Sequence, residues 1–488
     1  MDTNARVRTR LDKFVERKYA APILWLSLTL SFALYGIFGA VGPEVFSTAD
    51  GNSHGKPLAI YHTNSTKDSS ATWKGRLTHM DPLHQIIFLE AQVGKLEGYD
   101  GSYFFSHEYT YQQEMYITVE GGAAAENGRG NMIMTDQRSL KSVHCPANSQ
   151  WCDPISVFAT HDVLYEEYHL EVKFLHPGEH DGLGVDTETV FYTKFTMTFV
   201  NKMFTQWQIV WKIVFQVCTL IMMFCPATGP KSGGGYFWHL RKVPITNWTS
   251  LQIWLGAMLV MLFFFNDPFF PIEVFSESGV ALAALYIIFL AIYMGVMMFF
   301  WLCVIHETSL QGGPDAGKPK TIGFYFAKAV FCTALVMVIA ITYIFVRLKQ
   351  SGDPAYDALD DTEHFKIFGV IMILFMSLYS AWLAYYGVNA LTQIKRLDKG
   401  QVFTFTFTVA MIVLVLTCMG VGAMYPLPSA PEEFLLFYGM VNTYVWALSY
   451  AYAPEDGEAI RLTEAVGDDE LGNGLSLSQQ GEGADNEL

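Results

Sequence analysis

Five polar side chains lie inside or at the rim of segments otherwise suited to lipid: Lys212, Gln216, Asn266, Asp267 and Asn442. Burying such groups in hydrocarbon is costly without a partner, so they mark the places where a membrane segment binds or relays something. Lys212 and Gln216 are spaced one helical turn apart. Together they could face a water-filled cavity or hold a lipid head group. The favoured expectation for Lys212 is simpler: its aliphatic stem lies in lipid while its ammonium snorkels to the interface. Asn266 and Asp267 end one apolar run and Asn389 ends another. Asn442 lies within the last run, where an interhelical hydrogen bond is its expected role.

The same inventory argues against catalysis. An intramembrane aspartyl protease needs two facing carboxylates at depth, and only Asp267 is near a span. A membrane metallohydrolase needs several His or Asp there, yet His306 is the sole histidine close to a helix core and is expected to mark the cytosolic end. Gly233 to Gly235 is a plain glycine run, and no Ser, His and Asp set is present. The expectation is no enzyme, no cofactor and no metal.

The elements that must position these residues are membrane helices. Of 488 residues 51% are apolar and 16% charged, against about 25% charged in soluble proteins. Seven continuous apolar segments, 207–225, 245–265, 279–305, 322–346, 367–389, 402–424 and 433–453, are each long enough to cross a hydrocarbon core of about 30 Å as a helix. Their continuity selects helices rather than a barrel. An eighth run, 21–41, follows a basic arm, 1–20, with Arg6, Arg8, Arg10, Lys13, Arg17 and Lys18. A signal peptide shares that layout, but this run exceeds the usual core of about 7–15 residues, so an uncleaved anchor is expected.

Between anchor and block the pattern alternates. Tyr168, Leu170, Val172 and Phe174, then Phe191, Thr193, Phe195, Met197 and Phe199, then Met115, Ile117 and Val119 occupy every second position, the signature of half-buried strands. Further strands are expected near 58–63, 72–78, 85–92, 131–135 and 155–160. About eight short strands in residues 43–205 predict an antiparallel β-sandwich. Cys145 and Cys152 are expected to close a disulfide in an oxidising compartment, and Asn64 heads a glycosylation sequon. A second sequon at Asn247 is expected to go unused. Ten of the thirteen histidines fall between His54 and His180, a pattern that suits a pH-dependent grip or, more simply, solvated loops.

Basic residues set the orientation. Lys231, Arg241 and Lys242, then Lys318 and Lys320, then Lys395, Arg396 and Lys399 place alternate loops in the cytosol, whereas 266–278 and 425–432 carry no Lys or Arg. Loop 347–366 is mixed. Both termini are then cytosolic, the sandwich lumenal or extracellular, and the acidic tail 454–488 solvated. The net charge of −16, with no basic stripe, excludes nucleic acid as a partner. The bilayer is one expected partner and a secreted or lumenal protein ligand another.

Three stretches carry a resemblance: Asn-Asp-Pro-Phe-Phe-Pro at 266–271, Phe-Trp-Leu-Cys-Val-Ile-His at 300–306, and Glu-Phe-Leu-Leu-Phe-Tyr-Gly-Met-Val-Asn-Thr-Tyr at 433–444, closed by Tyr452, Ala453 and Pro454. In that order and spacing the chain resembles the transmembrane protein 181 family of Wntless-like membrane proteins. A Tyr-x-x-Tyr strand start at Tyr165 and Tyr168 adds to it. The resemblance implies a sandwich similar to a Golgi-dynamics domain, a seven-helix bundle with a lipid-accessible cavity, and a role in ligand reception or cargo carriage at plasma, Golgi or endosomal membranes. It transfers no catalytic residue. The Asp-Arg-Tyr and Asn-Pro-x-x-Tyr patterns of rhodopsin-like receptors are missing. A signalling receptor and a transporter or channel are the alternatives.

Overall fold

The computed structural model describes residues 9–11, 20–50, 60–61, 70–97, 104–122 apart from 106, 131–175 apart from 161, 162 and 164, 190–225, 235–275 apart from 245 and 246, 279–311, 322–352, 364–422 and 431–454. Asn64, the acidic tail and most of the basic arm lie outside them.

Helix α1 (Ala20–Ala40) leads into strand β1 (Phe46–Asp50). There follow β2 (Ile60–Tyr61), β3 (Ser70–Leu77), a 3-10 turn (Pro82–His84), β4 (Ile87–Glu97), β5 (Tyr109–Gly122), β6 (Asn131–Cys145), β7 (Ile155–Thr160), β8 (Glu167–Leu175) and β9 (Val190–Val200). One sheet runs β1-β9-β4-β7 with β2 also on β9, and the other β3-β8-β5-β6. Every pairing is antiparallel. The alternating stripes point inward as expected: Met115, Ile117 and Val119 meet Leu170, Val172, Phe174, Phe195 and Met197 in one buried core. Trp73 stacks on Phe195 there, with ring centroids 4.1 Å apart. Cys145 and Cys152 form a disulfide.

β4 runs five residues past the expected 92, to Glu97, and two strands depart further from expectation. β1 was not foreseen, because a five-residue edge strand carries too little alternation to read. β6 runs on to Cys145 rather than stopping at 135. Asp136 has φ 43°, the register against β5 shifts between Ile117 and Val119, and beyond it the inward positions include Ser139 and Lys141. A bulge followed by polar inward residues hides the period.

The helical part comprises α2 (Lys202–Phe224), a short α3 (Tyr236–Leu240), α4 (Ser250–Phe265), α5 (Phe270–Phe275), α6 (Gly279–Gln311), α7 (Ile322–Gly352), α8 (His364–Gln393), α9 (Lys399–Gly422) and α10 (Pro431–Tyr452). Among the described residues five spans are long and apolar enough to cross a membrane, α4 and α5 counting as one; the described parts of α1 and α9 are shorter apolar helices. α4 starts at Ser250 rather than 245 because Thr249 and Gln252 close a capping box, which fixes a helix start. The stretch 266–278, expected as a plain loop, contains α5. Exposed apolar faces, such as Val210, Ile213, Val217 and Ile221 on α2, are what lipid would cover.

α10 is central, with 14 of its 22 residues buried, against α1, α2, α4 and α9. Glycines bring α1 close: a Cβ on Gly39 would stand 2.3 Å from Glu432 Cα, and one on Gly439 2.5 Å from the Tyr35 ring. Without a hydrophobic force between helices in lipid, such close approach is what packs them. Tyr35 and Thr443 add a hydroxyl contact of 3.1 Å. Thr9–Leu11 of the arm pack against the far end of the same helix. Arg10 N–H donates to Ala453 O at 3.1 Å, the Arg10 guanidinium meets His239 Nε2 at 2.6 Å, and Leu11 is buried.

The sandwich joins the helices without slack. β1 and β9 are neighbours, with Phe46 opposite Val200, so both tethers leave side by side. Only Asn201 separates β9 from α2; its side chain accepts from Met203 N–H at 2.9 Å and caps the helix.

Two measurements check this fold. Replacing both Cys145 and Cys152 with Ser should lower stability by about 2 kcal/mol, read as a lower melting temperature of the full chain in detergent. Arg76 donates to Glu167 at 2.7 Å across β3 and β8 and holds that carboxyl below its usual range. Stability from a lowered carboxyl is present above its unfolded pKa, about 4.3, and is lost as pH falls through the folded value. The melting difference between parent and Arg76→Ala should therefore stay constant from pH 7 to about 5 and shrink only in stronger acid.

Candidate functional site

α4 stops where its sequence turns polar. Asn266 N–H still reaches Leu262 O at 3.0 Å and Asp267 N–H reaches Phe264 O at 3.0 Å. Asp267 then takes φ 57°, a left-handed conformation that Asp tolerates better than most residues. Pro268 follows and cannot donate, and α5 resumes at Phe270. This break frees backbone acceptors and turns two polar side chains inward.

Across the break stands α2. Lys212 Nζ donates to Asp267 Oδ2 at 2.9 Å, with the two side chains only 4% and 1% exposed. The ammonium also lies 3.4 Å from the centre of the Phe270 ring and 4.9 Å from that of Tyr286, each a cation–π position. Glu273 is near enough to interact electrostatically with Lys212. The expected snorkelling of Lys212 is thus corrected: the side chain points into the bundle, because the helix break supplies a carboxylate at its own depth. Asp267 likewise finds a cation rather than a second carboxylate, and its Oδ1 has no hydrogen-bond partner among the described residues.

One turn further along α2, Gln216 Nε2 donates to Asn266 O at 3.0 Å, the carbonyl that the break leaves over. Asn266 and Asn442 exchange amide hydrogen bonds of 2.8 Å in both directions, and Asn442 Nδ2 also reaches Tyr438 O at 2.8 Å. Thr219 Oγ1 donates to Phe215 O at 2.7 Å. It accepts from Asn266 Nδ2 at 3.3 Å and from Trp446 Nε1 at 3.2 Å. Tyr286 and Tyr438 join hydroxyls beside the pair. Low dielectric strengthens such a network when its members are satisfied.

All five singled-out residues, Lys212, Gln216, Asn266, Asp267 and Asn442, therefore meet in one network tying α2, the α4–α5 break and α10. Asn389 does not join; its carbonyl accepts from Thr392 Oγ1 on its own helix at 2.7 Å. His306 lies on α6, stacked between Phe324 and Tyr386 with centroids 4.6 and 3.9 Å away. Sequence reasoning missed Thr219, Tyr286, Tyr438 and Phe270, since hydroxyl and aromatic residues are common in apolar helices and give no warning.

The network sits beneath the sandwich. Leu83 of the 3-10 turn packs with Ile209 of α2 and with Phe270 and Val274 of α5. Thr205 Oγ1 donates to Leu83 O at 2.6 Å and accepts from Gln85 Nε2 at 2.8 Å. Asp81, which caps the turn through Leu83 N–H at 2.8 Å, also pairs with Lys202. Phe270 thus touches the turn on one side and the Lys212 ammonium on the other. No group of three or more His, Cys, Asp or Glu able to hold a metal exists among the described residues.

Removing one partner of a buried pair strands the other charge and costs about 3–5 kcal/mol, whereas replacing both with apolar residues of similar volume is near neutral. Lys212→Met and Asp267→Leu alone should each reduce the folded fraction sharply, and the double substitution should restore it. Fluorescence-detected size exclusion and thermal melting of the three variants check this.

The Wntless-like transmembrane domain matches residues 201–456, which begin at the cap of α2 and run just past α10, just over half of the chain. Human transmembrane protein 181 is 26% identical over 276 residues, covering 53% of this chain and 54% of that protein. The chain spans about half the length of that curated relative. The helices that build the polar network are the ones the family domain covers, and the chain belongs to the Wntless-like transmembrane family.

Proposed function

We propose that this protein receives a secreted or lumenal protein ligand on its β-sandwich and carries or reports it through the helix bundle, as a receptor or cargo-trafficking protein. The observation that carries this reading is the seat of the Pro82–His84 turn on α2 and α5, directly over the Lys212–Asp267 pair. A force on the sandwich reaches a buried ion pair within two side-chain contacts. Family membership supports a membrane trafficking or receptor-like role in general terms.

The ligand face is the outer surface of the β3-β8-β5-β6 sheet along β6. There Ile133 and Leu140 are 38% and 58% exposed on an edge strand, and exposed apolar side chains on a water-facing edge favour a partner. Charge on the helix loops supports the sandwich being lumenal or extracellular and both termini cytosolic. The bundle's role in this reading is to hold an acyl chain of the cargo or to transmit the contact.

A second reading has one observation behind it. The span built from α4 and α5 is interrupted at Asn266–Phe269, and interrupted helices with buried charge build ion and substrate sites in transporters. Here the break is filled by the Lys212–Asp267 and Asn266–Asn442 contacts, which favours a structural use.

The test is crosslinking at the surface of cells expressing the full chain, followed by identification of captured secreted proteins. Leu140→Asp should cut capture at least tenfold at unchanged expression. Deletion of residues 455–488 should leave capture intact while removing onward transport of the captured protein. Capture unaffected by Leu140→Asp would move the ligand face elsewhere. Solute flux into vesicles that is abolished by Asp267→Asn would favour the transporter reading.

A further inference from the structure

At the end of α2 opposite the sandwich lies a cleft of about 180 Å³ lined by Arg10, Ile221, Met222, Cys225, Gly235, Tyr236, Ser449, Tyr450 and Ala453. Two of these side chains are at odds with a purely structural role. Cys225 caps α2 and is an exposed residue, whereas Cys218 is half-buried and Cys303 and Cys332 are buried. Ser449 is 0% exposed, yet its hydroxyl has no hydrogen-bond partner among the described residues. A buried hydroxyl is costly to leave unmatched, and Ser449 lines the same cleft as Cys225.

The position of Cys225 is fixed rather than loose. Its carbonyl accepts from Gly235 N–H at 2.7 Å. A Cβ at Gly235 would stand 2.8 Å from Cys225 N and 2.7 Å from Phe224 N, so the two backbones touch where only glycine fits. The thiol therefore ends the apolar ridge of α2, where Val217, Leu220, Ile221 and Phe224 are between 41% and 57% exposed. A chain attached to it has the exposed apolar face of α2 on one side and a partly enclosed apolar cleft lined by Ser449 on the other.

We propose that Cys225 is an S-acylation site, with the thioester carbonyl accepting from Ser449 Oγ and the fatty chain lying along the outer face of α2. The Cys225 sulfur attacks the carbonyl carbon of a long-chain acyl thioester of a carrier thiol. A new carbon–sulfur bond forms, the bond to the carrier breaks, and the thiol proton leaves on the carrier. No oxidant or reductant takes part. Juxtamembrane cysteines are the usual acceptors of this reversible modification. The proposal rests on the cytosolic placement of this end given under the proposed function. It goes beyond that reading by assigning the protein's own lipid rather than a cargo's.

The test is acyl-exchange mass tagging of the full chain expressed in animal cells, in which hydroxylamine frees thioester-linked thiols for a mass label. The parent should gain a hydroxylamine-dependent shift that falls at least tenfold in Cys225→Ser and persists in Cys218→Ser, Cys303→Ser, Cys332→Ser and Cys418→Ser. Ser449→Ala should lower the labelled fraction at least twofold with protein level and elution profile unchanged. No shift in the parent, or a full shift in Cys225→Ser, overturns the site; an unchanged fraction in Ser449→Ala overturns the role of the cleft. A membrane-impermeant maleimide applied to sealed vesicles of each orientation, after hydroxylamine, reports which side Cys225 faces. An inverted chain is thereby told apart from one that is not acylated.

Discussion

A lysine and an aspartate that share a hydrogen bond inside a lipid-spanning bundle set most of what surrounds them. Neither charge could be left there alone, so α2 must present Lys212 where the α4–α5 break presents Asp267. That requirement fixes the rotation of α2 and the place of the break. The break in turn releases the Asn266 carbonyl for Gln216 and turns the Asn266 amide towards Asn442. A single electrostatic constraint therefore orients three helices, while apolar packing alone would tolerate many rotations of each. Specificity rather than net stability is the most economical account of why such a pair is retained.

Much of this is legible in the sequence. Polar residues stand out in apolar segments because lipid makes them expensive, and the five chosen on that ground occupy one network. The strands β5, β8 and β9 were equally plain, since a sheet with one buried face forces a period of two. What could not be read was direction. The spacing of Lys212 and Gln216 puts them on one side of α2 but does not say whether that side faces lipid, protein or the interface. The snorkelling expectation failed for that reason, because the partner lies 55 residues later and nothing local announces it. β6 was curtailed for a different reason: its bulge at Asp136 resets the alternation, and Ser139 and Lys141 occupy inward positions where apolar residues would have revealed the strand. The start of α4 was misplaced although Thr249 and Gln252 spelled out its cap.

The family domain covers residues 201–456, and the position of that boundary has a physical sense. The five polar residues of the network and the partners they bond lie within it, on α2, the break and α10. Helix α1 lies outside that range yet packs on α10 through Gly39 and Gly439, so the anchor belongs to the bundle structurally. The arm continues this relation at the other end, where Thr9–Leu11 cover the final turn of α10. α10 is thus gripped at both ends by the segment that precedes the sandwich.

The single residue between β9 and α2 carries a mechanical implication. With Asn201 as the only link, and its side chain committed to capping α2, there is no hinge in which a twist of the last strand could dissipate. β1, hydrogen-bonded alongside, holds the neighbouring tether to the same frame. Torque applied to the sheet would then be passed on as tilt or screw motion of a whole helix, with the sandwich and α2 as the two arms of a lever pivoting at Asn201.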